Sequence, residues 1–212
     1  MKRFQMITEA DARLLDYGST VRLVDGGHIT PLAHDTLRAR RIAVVREGTD
    51  VDAEALAPPA TIRVVALGTD HTGVALKAAI RQHLRGRGIA VHDLGTDGPE
   101  PVDYPDVAAA VARQVARREA DAGIVIDGAG LGSAIAANKI AGVRAAMCLN
   151  QTLARYAREH NGANVLALGA TLVTPDEAIV IVETFLGTAM REPRYLRRLA
   201  KIRELEGAAG RP

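Results

Sequence analysis

Three stretches of the chain concentrate residues that can move protons or hold anions. IVIDGAGLGSAIAANK, residues 124–139, runs an apolar segment straight into Asp127 and then into Gly128, Gly130 and Gly132. GTDHTGVALK, residues 68–77, places Asp70 and His71 after another apolar run, and AREHNGANVLALG, residues 157–169, places His160 and Asn161 just ahead of a third. Carboxylates and imidazoles are common proton carriers at neutral pH, and glycines at the start of a helix let backbone N–H groups converge on a phosphate or a developing oxyanion. A basic cluster, Arg191 to Arg203, contains Arg194 and Arg198 four residues apart. Each feature also has a plainer reading. The glycines permit a tight turn, Asp70 and His71 cap the helix that follows, His160 caps a helix end, and the arginines form a solvated face. Joint occurrence at the ends of predicted strands favours chemistry.

Two nucleotide-binding patterns are near misses. GAGLGS would need glycine at Ser133 to complete G-x-G-x-x-G, and Asn150 stands where the next strand would offer an acidic residue for a ribose. In GTDHTGVALK, Val74 occupies the place of the phosphate-loop lysine.

Positioning these residues requires a particular order of elements. From Thr61 onward, short aliphatic runs alternate with segments of helical periodicity, the pattern of a parallel sheet covered by helices. Strands are predicted at 62–67, 89–94, 122–126, 143–149 and 164–169, mostly continuous apolar runs as expected for strands buried on both faces. Helices are predicted at 74–84, 105–118, 131–138, 151–160 and 175–186, with a last basic helix at 193–205; Pro105 and Pro175 fall in first turns. In such a sheet, ligands bind beyond the carboxyl ends of the strands, where Asp70 and Asp127 fall.

The first 60 residues form a separate small unit: a strand at 21–24, a helix with Thr30 as N-cap before Pro31, and a strand at 42–45. REGTDVDAEALAPPAT, residues 46–61, reads as a linker, so the boundary falls near residue 60, with domains 1–60 and 61–212.

The composition narrows the class. With 48% hydrophobic and 25% charged residues the chain is an ordinary globular protein, and with no Trp and two Phe its core is aliphatic. A net charge of +2, with no basic stripe interleaved with aromatics, argues against nucleic acid. A single cysteine, Cys148, rules out an intrachain disulfide framework and fits a reducing cytoplasm. No apolar run reaches the roughly 20 residues of a bilayer span, and the first residues lack the apolar core of a signal peptide. The expected location is cytosolic, without a membrane partner.

Residues 62 to about 203 resemble the ribose-5-phosphate isomerase type B family, which includes the galactose-6-phosphate isomerase subunits. The resemblance rests on GTDHTGVALK, DLGT with VDYPD (93–96 and 102–106), IVIDGAGLGSAIAANKIAGVRAA, ARYAREHNGANVLALGA and PRYLRRLAKI, in that order. It implies a Rossmann-like three-layer α/β sandwich with a five-stranded parallel sheet, a homodimer or tetramer with active sites shared between subunits, and no metal or organic cofactor. The implied reaction is aldose–ketose isomerisation of an open-chain phosphosugar through an enediolate. Carried over by position, Asp70 contacts sugar hydroxyls and His71 lies near the phosphate end. His160 and Asn161 serve ring opening and hydroxyl contact. Gly128, Gly130 and Gly132 offer N–H groups to the enediolate, Arg194 and Arg198 clamp the phosphate, and Tyr104 and Asn138 shape the pocket.

The chain departs from that family at the chemistry itself. Asp127 occupies the position of the usual cysteine base, and Ser133 that of the glutamate used by a second subgroup. Ala129 replaces a hydroxyl residue, Thr171 stands where an arginine often helps hold phosphate, and Tyr195 replaces a histidine. Two expectations remain. Either Asp127 is itself the base, as a glutamate carboxylate is in triosephosphate isomerase, or the chain binds phosphosugar without turning it over, as a partner subunit. The segment ITEADARLL…GHITPLAHDTLRARRI also looks like short N-terminal segments of enzymes linked to bacterial microcompartments, which implies a targeting or assembly role; the other reading is a small domain that extends the dimer surface.

Overall fold

A computed structural model describes residues 2–46, 56–190 and 192–208, and the chain divides into two compact units, Met1–Ala55 and Leu56–Pro212. Residues 47–55 of the expected linker and Arg191 of the basic cluster lie outside the described residues. Residues 56–60, also expected as linker, belong to the second unit: Arg144 Nη2 donates to the Leu56 carbonyl at 2.9 Å and Arg158 Nη2 to the Pro59 carbonyl at 3.2 Å.

The first unit is a three-stranded parallel sheet, β1 (Arg3–Ile7), β2 (Thr20–Ile29) and β3 (Ala43–Arg46), in the order β1-β2-β3, with α1 (Glu9–Leu14) and α2 (Pro31–Ala39) as its crossings. Both helices pack together over a core of Ile7, Ala12, Leu15, Val21, Leu23, Ile29, Ala33 and Leu37. The unit contains one strand and one helix more than the sequence indicates, β1 and α1, the latter begun by a reciprocal capping box between Thr8 and Asp11. β2 runs on through Gly26–Gly27, a pair that in sequence signals a break; a Cβ at Gly27 would lie 2.9 Å from the Gln5 carbonyl oxygen, so the glycine permits close strand approach at a bulge instead of a turn. Thr30 takes the N-cap position of α2 but makes no side-chain cap hydrogen bond.

The second unit is a five-stranded, all-parallel sheet in the order β5-β4-β6-β8-β7, formed by β4 (Val64–Thr69), β5 (Ala90–Asp93), β6 (Ala122–Asp127), β7 (Ala145–Met147) and β8 (Val165–Gly169). The connecting helices are α3 (Val74–Gly86), α4 (Tyr104–Ala116), α5 (Leu131–Ala137) and α6 (Gln151–Asn161); α7 (Pro175–Gly187) and α8 (Pro193–Ala208) follow β8. All five predicted strands and six predicted helices of this unit are present, with ends displaced by a few residues.

Strand alternation decides which helices cover which face. Val65, Leu67, Ile124, Ile126, Leu166 and Leu168 point toward α3, α6 and α7, packing on Leu76, Ile80, Ile181 and Phe185. Ala66, Val125, Val165 and Ala167 point the other way, toward α4 and α5, with Ala108, Val111, Ala112 and Ala137. The second face is built of smaller residues, and Gly123 there lets Val111 and Val165 come so near that a Cβ would meet them at 2.8 and 3.0 Å.

The chain leaves β4 for the β5 edge and leaves β6 for the β7 edge, so the crevice between the carboxyl ends of β4 and β6 is the topological switch point of the sheet. Beside it the loop after β5 is fastened by a charge cluster. Lys77 is fully buried, its Nζ 2.7 Å from Asp93 Oδ1 and 2.9 Å from Asp97 Oδ1, and Arg81 reaches Asp93 Oδ2 at 2.6 Å.

The two sides of this cluster respond differently to loss. The carboxylates of Asp93 and Asp97 are 20% and 67% exposed and turn to water or Arg81, whereas the ammonium of Lys77, at 0%, has no water to turn to. Removing both carboxylates, Asp93→Ala with Asp97→Ala, should therefore destabilise the fold by about 3 kcal/mol through a stranded buried charge, while Lys77→Met should cost far less; urea midpoints at constant m-value measure both.

Candidate functional site

Asp127 ends β6 in register with Gly169 of β8, and the chain turns at once into α5. Gly130 makes that turn with φ +75°, and a Cβ there would lie 2.8 Å from the carbonyl carbon of Leu168, so both conformation and space require glycine. The turn folds back on the Asp127 carboxylate. Its Oδ1 accepts from the N–H of Ala129 at 2.8 Å and from that of Gly130, and its Oδ2 accepts from the N–H of Ser133 at 2.8 Å. Burial pushes this carboxyl up, but the hydroxyl and N–H of Ser133 and the N–H groups of Gly130 and Ala129 together outweigh burial and hold it below its ordinary value. At 5% exposure Asp127 is thus a buried, ionised carboxylate solvated by backbone.

Asp70 follows β4 on the neighbouring strand. Its N–H donates to the Ile126 carbonyl at 3.3 Å, and its Oδ1 accepts from the N–H and hydroxyl of Thr72 at 2.8 and 2.5 Å, so it does cap the short turn that opens α3. His71 Nδ1 accepts from the Val102 N–H at 3.3 Å, which puts the proton of the neutral ring on Nε2. Tyr104, the first residue of α4, lays its ring against the α5 turn: a Cβ at Gly132 would meet it at 2.5 Å. Thr171 closes the other side, its hydroxyl donating to the Gly128 carbonyl at 2.6 Å. The sheet thus brings Asp70, His71, Tyr104, Asp127, Gly128, Gly130 and Gly132 to its carboxyl edge. Among the described residues, none accepts from the N–H of Gly128 or Gly132.

The remaining residues gather elsewhere. α6 starts beyond the carboxyl end of β7 and ends before the amino end of β8, so its C-terminus lies at the opposite edge of the sheet, and its 11 residues rise about 16 Å. His160 and Asn161 are at that far end. The His160 ring is stacked on Tyr156 (centroids 4.6 Å apart, 18° between planes) and tilted against Tyr195 of α8 (4.8 Å, 34°). Arg194 and Arg198 place their guanidinium carbons 4.8 and 5.6 Å from the Tyr195 ring centroid. Asn161 Nδ2 donates to the Tyr156 carbonyl at 3.1 Å. Asn138 belongs to neither group: its side chain bonds the carbonyls of Ala134 and Ala145 and the N–H of Ala145, fastening α5 to β7. Asn138 and Asn161 both line a cavity of about 560 Å³ with Arg144 and Ile202.

Two residues of the site carry weaker signals in the sequence. Nothing local marks Ser133 as a partner of Asp127, because its role follows from the turn geometry. Tyr156 has a signal, since it precedes His160 by four residues and so shares its helix face. Among the described residues no group of three or more His, Cys, Asp and Glu is arranged to hold a metal ion, and no helix is long and apolar enough to cross a membrane.

Comparison with known proteins covers the second unit. A family described as Ribose/Galactose Isomerase matches residues 65–202. Ribose-5-phosphate isomerase B of Escherichia coli is 43% identical over 145 residues, 68% of this chain and 97% of that protein. Among solved structures, Clostridium thermocellum ribose-5-phosphate isomerase B superposes with a TM-score of 0.68 at 48% identity, covering 69% of this chain and 99% of that one. The Mycoplasma genitalium enzyme, solved with bound ribulose-5-phosphate, gives a TM-score of 0.66 at 40% identity over 68% of this chain and 96% of its own.

The hydrogen bonds to Asp127 set a pH signature. A carboxyl held below its ordinary 3.8 stabilises the fold fully above that value and loses the contribution as pH falls through its folded value. In Asp127→Asn the amide has no charge to lose and turns an N–H₂ toward Ser133. The urea-midpoint gap between wild type and Asp127→Asn should therefore hold constant from pH 7 to about pH 4 and narrow below it.

Proposed function

Because this chain belongs to the Ribose/Galactose Isomerase family, we propose that residues 61–212 form an aldose–ketose isomerase acting on ribose 5-phosphate and ribulose 5-phosphate, or on a related phosphosugar, through an enediolate. The observation that carries this reading is the division of the polar residues into two groups at opposite edges of one sheet. One suits proton transfer and oxyanion stabilisation; the other suits ring opening and phosphate binding.

In this reading His160 and Asn161 open the sugar ring and hold its hydroxyls, while Arg194 and Arg198 grip the phosphate. The Asp127 carboxylate takes the proton from C2 of the open-chain aldose. The electron pair left behind forms the C1–C2 double bond of the enediolate, and negative charge gathers on oxygen. The N–H groups of Gly128 and Gly132 face that charge, and Gly130 joins them as Asp127 becomes neutral and releases its donors. Return of the proton to C1, with transfer of the hydroxyl proton from O2 to O1, gives the ketose. Asp70 and His71 complete the sugar and phosphate contacts, and Tyr104 walls the pocket.

Since one sheet separates the two groups by roughly the length of α6, a complete site needs a second copy, and we read the protein as a homodimer or tetramer with shared sites. The N-terminal unit, whose residues 7–42 supply a core of their own, we read as an assembly or targeting module, with the protein in the cytoplasm or inside a bacterial microcompartment.

A second reading has one observation in its favour. Both oxygens of Asp127 already accept hydrogen bonds, three N–H groups in all, as suits a structural anion in a chain that binds phosphosugar without turnover or serves as a partner subunit.

Purified protein assayed on four- to six-carbon phosphosugars separates the readings. Turnover that Asp127→Ala abolishes supports the isomerase, and calorimetric binding without turnover supports the second. Mixing Asp127→Asn with His160→Gln, each inactive alone, should restore about a quarter of wild-type activity, because half of randomly mixed dimers carry one intact site of two. No recovery on mixing would mean that sites are not shared.

A further inference from the structure

The ring of Tyr195 touches every residue assigned to ring opening and phosphate grip except Asn161. It is 7% exposed and lies against the His160 imidazole at 4.8 Å. Its phenol oxygen accepts from Arg194 Nη2 at 3.0 Å, and the guanidinium groups of Arg194 and Arg198 lie 4.8 and 5.6 Å from its centroid. Tyr156 contacts the imidazole as well, at 4.6 Å and 18°.

These contacts restrict both kinds of group. An imidazole in contact with two phenol rings has the rotation of its plane hindered; its Nε2 lies 3.9 Å from Glu159 Oε2. Two guanidinium groups in the same neighbourhood repel each other, and the negative face of an aromatic ring offsets that repulsion. A smaller ring at this position would lack both the phenol oxygen and the area to serve His160 and two arginines together.

We propose that Tyr195 is a positioning residue: with Tyr156 it fixes the plane of the His160 imidazole, and through its ring and phenol oxygen it holds Arg194 and Arg198 beside that imidazole, so that ring opening and phosphate grip share one scaffold built within a single chain. The assignment of those two steps rests on the isomerase reading above; the scaffold itself does not.

The test uses the full chain with Tyr195→Leu and Tyr195→Phe, followed by ¹H–¹³C NMR of the His160 ring protons (identified with His160→Gln), calorimetry with inorganic phosphate, and kcat and KM on ribose 5-phosphate. In Tyr195→Leu the His160 signals should move downfield as the ring current is lost, with kcat falling about threefold to tenfold, the range of a lost aromatic pair. In Tyr195→Phe the His160 signals and kcat should stay, while phosphate affinity weakens and KM rises about twofold to tenfold through loss of one hydrogen bond. Unmoved His160 signals in Tyr195→Leu, or the same kcat and KM in both variants, would overturn the proposal. Should Tyr195→Leu not fold, unchanged phosphate affinity in Tyr195→Phe overturns it. If the wild type turns over no phosphosugar, the isomerase reading fails, while the NMR and phosphate measurements still decide the scaffold.

Discussion

The pairing of β4 with β6, Val65 through Thr69 against Ala122 through Ile126, is the constraint on which the site depends. It sets the residues after the two strands side by side, and it does so where two carboxylates, Asp70 and Asp127, end adjacent strands. Like charges at such spacing repel in a medium of low dielectric. The fold answers with donors for each: the N–H and hydroxyl of Thr72 for Asp70, and the N–H groups of Ala129, Gly130 and Ser133 for Asp127. Among the described residues, neither carboxylate is balanced by a cationic side chain. The cations nearby in sequence, Lys77 and Arg81, are committed to Asp93 and Asp97.

That distribution leaves the carboxyl edge rich in backbone donors and poor in mobile positive charge, whereas the far edge carries Arg194 and Arg198. The two edges differ in construction as well. Asp127 is held by a turn whose conformation Gly130 alone permits, while His160 is held by side-chain stacking between α6 and α8. Both are preformed within one chain, so joining them across two copies would order few side chains at the moment of association.

How far this was legible in the sequence follows from the range of the forces involved. The buried parallel strands read clearly because both of their faces are apolar: Ile124 and Ile126 serve one face and Val125 the other, so the run is continuous. β1, RFQMI, gives no signal because its five residues do not alternate, with only Ile7 buried, and β2 reads short because Gly26–Gly27 signals a turn in sequence while Gly27 serves a close approach in space. The position of Asp127 was legible; its environment was not, because three N–H groups converge only once the turn has its shape. The stack of Tyr195 on His160 joins residues 35 apart and depends on α8 docking against α6, which no local periodicity encodes.

A carboxylate at Asp127 changes the electrostatics of the turn more than its shape. A thiol there would be neutral below its ordinary pKa of about 8.5 and would leave the N–H groups of Ala129, Gly130 and Ser133 without an anion, whereas the carboxylate, held below its ordinary value, supplies one at neutral pH. Any oxyanion formed in the crevice must therefore either bind outside this set, at the N–H groups of Gly128 and Gly132, or take donors from Asp127 as that residue gains a proton. The second course moves charge a short distance between two oxygens that share the same donors, and it needs little reorganisation of the backbone. On the first course Asp127 keeps its three donors and anchors the turn throughout; on the second, proton and hydrogen-bond donors change hands together.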